Sequence, residues 1–109
     1  MATFASDILF SIDTALQQRG LVNPELITTN KILVYSDSSI QLLRNNSGAL
    51  DVILPAVKDG VYFWVKSRDS SSSNIVVKDP DGGTLATLAA GNGVLVVSDG
   101  SAWWDVITG

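Results

Sequence analysis

Two pairs of carboxylates, Asp79 with Asp81 and Asp99 with Asp105, are the side chains of this sequence suited to acid–base chemistry. Cleavage of a glycosidic bond is the reaction such pairs serve, one carboxyl protonating the leaving oxygen while the other attacks or activates water. That chemistry needs a set separation and a raised pKa on the acid, and the local sequence supplies neither. Asp79-Pro80-Asp81-Gly82-Gly83 also opens like a calcium loop. The full loop needs more oxygen ligands and a glutamate at its twelfth place, where, counting from Asp79, Ala90 stands. The segment reads instead as a type I or II turn. Cysteine and histidine are both absent, which removes thiolate and imidazole metal ligands, disulfides and the commonest general base. The expectation is a protein that is not an enzyme and that takes no cofactor and no metal.

Tyr62, Trp64, Trp103 and Trp104 could stack on a sugar ring as an aromatic platform. The competing reading is that they fill a sheet core or a seam between subunits, where large aromatic side chains contribute most; the second is preferred. Asn45-Asn46-Ser47 matches a glycosylation acceptor triplet, but turns favour the same residues, and a turn is expected there.

The elements that must position these residues follow from composition and pattern. A chain of 109 residues makes one domain. Hydrophobic residues are 46% of it and charged residues 17%, far from the balance of a chain too polar to order itself. A net charge of -4 argues against a nucleic-acid partner, which needs a basic stripe. Apolar runs such as Tyr62 to Val65 and Val94 to Val97 are too short for a membrane span of roughly 20 residues, so no membrane partner is expected. The first residues lack a basic region followed by an apolar segment, so no secretory signal is expected.

Ile8, Leu9, Ile12, Ala15 and Leu16 recur at helical spacing behind Thr3 or Ser6 as a cap, and Arg19-Gly20 closes the pattern. A helix is expected from about residue 6 to 19, packed on its own sheet or docked on a neighbour. Leu21-Val22-Asn23-Pro24-Glu25 reads as a connector because Pro24 lacks a backbone donor. Residues 1–30 are thus expected to form a helix and connector, a docking arm, and residues 31–109 an antiparallel β domain. Within it, Lys31 to Tyr35 and Ile40 to Leu43 are expected to form a hairpin around Ser36-Asp37-Ser38-Ser39. Further strands are expected at Leu50 to Leu54, Val61 to Lys66 and Asn74 to Lys78, then near 84–88, 93–98 and 102–107. Turns are marked by Ser47-Gly48, Asp59-Gly60, Gly82-Gly83, Gly91-Asn92-Gly93 and Asp99-Gly100. The fold class expected is mainly β: an antiparallel β-sandwich or barrel of about eight short strands with one N-terminal α-helix.

Several of these strands are apolar on both faces. Val94 and Val96 oppose Leu95 and Val97, and Trp103 opposes Trp104. A half-solvated antiparallel sheet should alternate apolar with polar, so a second copy is expected to cover the outer face and remove exposed edges. The expected subunit interface comprises Tyr62, Trp64, Leu95, Val97, Trp103 and Trp104.

Leu50-Asp51-Val52-Ile53-Leu54-Pro55-Ala56, Gly60 before Tyr62-Phe63-Trp64-Val65-Lys66, Ile75-Val76-Val77 with Asp81-Gly82-Gly83-Thr84, and Ser98-Asp99-Gly100-Ser101-Ala102-Trp103 form a further pattern. Over about residues 40 to 107 the chain resembles small tailed-bacteriophage virion proteins of the head-decoration, head-fibre and tail-fibre kind. The resemblance implies a trimeric, non-enzymatic component of a virus particle, made in the bacterial host cytoplasm and located at the capsid surface of the virion. The short length favours a capsid decoration or cement protein, whose partners would be its own copies in a homotrimer and the major capsid protein of a phage. Phe4, Ile8, Phe10 and Ile12 are the residues expected to dock on the capsid. The alternative is a fibre-tip or receptor-binding module of a head or tail fibre, in which Trp64 or Trp103 stacks on a host glycan.

Overall fold

Residues 22–108 are described by the computed structural model, and their β-branched and aromatic runs form strands joined by glycine turns. In chain order these are β1 (Val22–Ile27), β2 (Lys31–Ile32), β3 (Ile40–Asn45), β4 (Leu50–Ile53), β5 (Tyr62–Ser67), β6 (Ile75–Lys78), β7 (Thr84–Leu88), β8 (Gly93–Ser98) and β9 (Trp103–Thr108). They build two sheets, ordered β1-β3-β5-β8-β9 and β2-β4-β6-β7. The expected helix at 6–19 and the docking residues Phe4, Ile8, Phe10 and Ile12 lie outside the described residues.

From β1 to β6 the chain changes sheet at every step. Successive strands within each sheet are therefore parallel, β1 with β3 and β5, and β2 with β4 and β6. Parallel neighbours need a crossover of about a dozen residues or more, usually a helix; here a strand of the opposite sheet serves. The winding stops at Asp79-Pro80-Asp81-Gly82-Gly83, after which β7, β8 and β9 pair antiparallel. This corrects the expectation of an antiparallel fold throughout: the protein is mainly β, but both sheets are mixed. It also removes the expected hairpin, because Ser36 to Ser39 carry the chain from β2 in one sheet to β3 in the other. The segment taken as a connector around Pro24 is β1. Pro24 is tolerated there because β1 is an edge strand, where a missing donor leaves no interior ladder bond unmade.

The core lies between the sheets. Leu43, Phe63, Val65, Val94 and Val96 come from one side and Val52, Ile75, Val77 and Leu88 from the other, all nearly inaccessible. Each such side chain stabilises the fold by roughly 1.5–3 kcal/mol. Polar groups finish the two ends of this core. At the β1–β2 end, Asn23 donates to Gln41 Oε1 at 2.8 Å and to Glu25 Oε1 at 2.9 Å, and Lys31 Nζ meets Glu25 at 2.8 Å. The hydrogen bond from Lys31, then that from Asn23, holds the Glu25 carboxyl below its ordinary range. Another buried anchor is Asn45. Its Nδ2 donates to Gly48 O at 2.7 Å and to Asn74 O at 2.8 Å, and its Oδ1 accepts from Ser47 N at 3.0 Å. An amide with both hydrogens committed inside the protein is a turn anchor and not a glycosylation acceptor in the folded chain.

Candidate functional site

Side chains of a strand alternate between faces, so residues 41, 43 and 45 of β3 enter the core while Ile40, Leu42 and Arg44 face outward. The same alternation turns out Val22, Pro24 and Leu26 on β1, Tyr62, Trp64 and Lys66 on β5, and Leu95 and Val97 on β8. Register aligns these residues across the sheet. Val22 pairs with Ile40, Ile40 with Trp64, Trp64 with Leu95 and Leu95 with Ile107, so one apolar row spans all five strands. Tyr62, Val97 and Trp104 form a second row at one end. Tyr62 is 48% exposed and Trp104 and Ile107 are each 54% exposed, whereas Trp64, Leu95 and Val97 are half-buried by their neighbours. The indole of Trp64 lies across β8: a Cβ on Gly93 would stand 3.0 Å from its Cζ2.

The outer face of the other sheet differs in kind. It carries Asp51, Lys78, Thr84 and Thr87 among Ile32, Ile53 and Val76, and Lys78 Nζ pairs with Asp51 at 3.1 Å. One outer face is that of a solvated sheet, and the other resembles a core surface without its cover. β9 extends this contrast, since every residue of it after Trp103 is exposed and Val106 is open as well as Ile107.

Of the residues expected at a subunit interface, Tyr62, Trp64, Leu95, Val97 and Trp104 share this outer face. Trp103 does not, and its assignment is corrected. Being one residue from Trp104 it points the opposite way, into the core, with its ring 6.1 Å from Phe63 and its Nε1 donating to Pro55 O at 2.8 Å. It is therefore also closed to a stacking sugar. The pattern reading missed Val22, Leu26, Ile40 and Ile107. The alternation of Val22, Pro24 and Leu26 with Asn23 and Glu25 carried the signal, but the proline outweighed it.

Of the carboxylates noted for acid–base chemistry, Asp79 and Asp99 hold turns. Asp79 Oδ1 accepts from Asp81 N at 2.9 Å and Gly83 N at 2.8 Å. Asp99 Oδ1 accepts from Ser101 N at 2.8 Å and Ala102 N at 2.9 Å, and its Oδ2 from Trp104 Nε1 at 2.9 Å. Gly100 completes this turn with a φ of 93°, a conformation that costs glycine nothing. The Ser101 amide, then the Ala102 amide, then the indole hold the Asp99 carboxyl below its ordinary value of 3.8, the opposite of the shift a general acid needs. A depressed folded-state pKa gives stability that is present above 3.8 and lost as pH falls through the lower folded value. Below that value the Trp104 indole N–H resonance should move and its hydrogen exchange accelerate, while the Trp103 indole signal stays put. Equal responses of the two indoles would show that Asp99 does not hold Trp104.

Among the described residues no three Asp, Glu, His or Cys side chains gather as metal ligands, and no helix is long and apolar enough to cross a membrane. Compared with protein-family models, curated proteins and solved structures, the chain matches none of them.

Proposed function

We propose that this chain is a non-enzymatic structural protein of a bacteriophage particle, a capsid decoration or cement protein. In this reading it works as a homotrimer whose subunits associate through the outer face of the β1-β3-β5-β8-β9 sheet. The observation that carries the association is the apolar row Val22–Ile40–Trp64–Leu95–Ile107 set against the ion-paired, threonine-bearing face of the opposite sheet. Five strands about 4.8 Å apart and about 20 Å long give a footprint of roughly 480 Å². Two such faces together approach about 1,000 Å², the lower bound for a specific interface, and the overhanging β9 adds to it. A second copy is the fitting occupant because the face carries a continuous apolar row and is flanked, among the described residues, by the edge strands β1 and β9, which a closed ring of identical subunits covers at once.

The virion assignment and the number three rest on the resemblance described above. Its residues fall on β4, β5 and β6, on the Asp81-Gly82-Gly83 turn and on the Asp99-Gly100 turn. Copies seated across capsomer boundaries would oppose the outward pressure of packaged DNA through buried apolar area, at roughly 25 cal/mol per Å².

Light scattering on the purified chain should give the mass of a trimer. Leu95→Lys, which puts a charge at the centre of the apolar row, should give a monomer with unchanged far-ultraviolet circular dichroism. Wild-type protein that stays monomeric at about 100 μM, a concentration at which even a weak interface of this size forms, would sink the association. Co-sedimentation with emptied phage heads tests the particle assignment separately; sedimentation with tails alone would remove the cement role.

A further inference from the structure

On the outer face of the β1-β3-β5-β8-β9 sheet, at the end away from Tyr62 and Trp104, lies a charge arrangement that the fold does not need. Of the cations among the described residues, Lys31 pairs with Glu25, Lys78 pairs with Asp51, and Lys58 lies 5.0 Å from the Tyr35 ring centroid. The remaining three, Arg44, Lys66 and Arg68, gather in one place. Leu42 stands opposite Lys66, Leu43 opposite Ser67, and Arg68 N donates to Leu43 O at 2.8 Å, which sets Arg68 beside Arg44. No carboxylate among the described residues forms an ion pair with any of the three. Like charges side by side on neighbouring strands are destabilising, and this chain has a net charge of -4 with which to neutralise them. Arg44 Nε is moreover buried without a hydrogen-bond partner, a state that polar atoms inside proteins seldom keep.

Two of these cations, Lys66 and Arg68, line a groove of about 360 Å³ together with Leu42, Asp69 and Ser70, a volume within the usual range of small-ligand sites. Its lining selects a class of ligand. Guanidinium groups suit a carboxylate, which they can hold through two parallel hydrogen bonds. Ser70 Oγ and the Asp69 carboxylate, which makes no ion pair among the described residues, suit hydroxyl groups, and Leu42 offers an apolar lining. Asp69 would repel a bare polyanion such as phosphate. Lys66 Nζ already donates to Gly91 O at 2.9 Å, so it supplies charge and Arg68 supplies the direct bonds.

We propose that the groove between β3 and the segment following β5 binds a carboxylate-bearing saccharide, with Arg68 on the carboxylate, Lys66 and the neighbouring Arg44 adding positive charge, and Asp69 and Ser70 on hydroxyls. The site does not depend on the particle reading; it shares its sheet face with the apolar row but lies at the opposite end of it, so binding is read separately from the oligomeric state.

Nuclear magnetic resonance titration of the full chain with sialyllactose, a glucuronate disaccharide, lactose and inorganic phosphate tests it. An acidic saccharide should shift the amides of Arg44, Arg68 and Ser70 and saturate, binding at least about tenfold more tightly than lactose or phosphate. Arg68→Gln should weaken that binding about tenfold and Arg44→Gln, which removes a charge beside the groove, by less, while Lys78→Gln on the opposite sheet leaves it unchanged. Arg68 is exposed, so its variant remains informative if Arg44→Gln fails to fold. Phosphate binding as tightly as the saccharides would overturn the sugar assignment. Lactose binding equally well, no saturable shift with either acidic saccharide, or full retention in Arg68→Gln would overturn the site. Light scattering on the same samples reads the oligomeric state independently.

Discussion

Replacing Trp103 by alanine should lower the stability of the fold by about 4 kcal/mol, and replacing its neighbour Trp104 should cost less than about 1 kcal/mol in the isolated subunit. The two indoles differ only in which way the strand turns them. Trp103 is 6% exposed, packs against Phe63 and donates its N–H to Pro55 O, so alanine there opens a cavity and strands a carbonyl. Trp104 is more than half exposed and donates to Asp99 on the surface. For a domain of this size 4 kcal/mol corresponds to a fall in Tm of roughly 15–30 °C. Urea denaturation followed by circular dichroism measures both variants. Equal losses would mean that β9 is not oriented as described. If the outer face is covered by a second copy, Trp104→Ala should instead weaken association, a readout that Trp103→Ala does not share at temperatures where it stays folded.

The same pair shows how far the sequence could be read. Alternation told that Trp103 and Trp104 point apart, and that Val94 and Val96 oppose Leu95 and Val97. It did not tell which of the two tryptophans faces inward, because both are equally apolar and the choice is made by Phe63 and Pro55, residues remote in the chain. The turns were legible: Gly48, Gly60, Gly82, Gly91 and Gly100 all adopt positive φ, each where a polar residue and a glycine interrupt apolar runs.

Strand pairing was not legible. A period of two fixes the face of a side chain and leaves its neighbouring strand open, so Lys31 to Tyr35 and Ile40 to Leu43 looked like a hairpin. They lie in different sheets because the polar stretch between them, Ser36 to Ser39, can cross a sandwich as readily as it can reverse a chain. Parallel pairing without helices escapes any reading that equates a crossover with a helix. The groove beside Arg44 and Arg68 escaped for the same reason, since the two residues are brought together by that parallel register alone.

Asn45→Ala should cost about 3 kcal/mol although it removes only one small polar side chain. Asn45 is fully buried, and three segments hang on it. Its side chain ties Ser47 and Gly48 in the β3–β4 turn to Asn74 before β6. Its backbone N–H donates to Ser71 Oγ at 3.0 Å, and its carbonyl accepts from the amides of Ser72 at 3.0 Å and Ser73 at 2.9 Å. Alanine takes the Asn45 donor from the carbonyls of Gly48 and Asn74, the latter keeping only Leu50 N at 3.3 Å, and the acceptor from the amide of Ser47, and each such loss costs up to about 1–3 kcal/mol before relaxation. Asn45→Asp should not rescue it, because an aspartate presents an acceptor where the two carbonyls need donors. Chemical denaturation gives the magnitude, and hydrogen exchange gives the place: the amides of Ser47, Ser72 and Ser73 should exchange faster in both variants while those of Val65 and Val94 fall only with global stability. A loss below about 1 kcal/mol, the value for an ordinary surface turn residue, would mean that the serine-rich loop is held by something other than this amide.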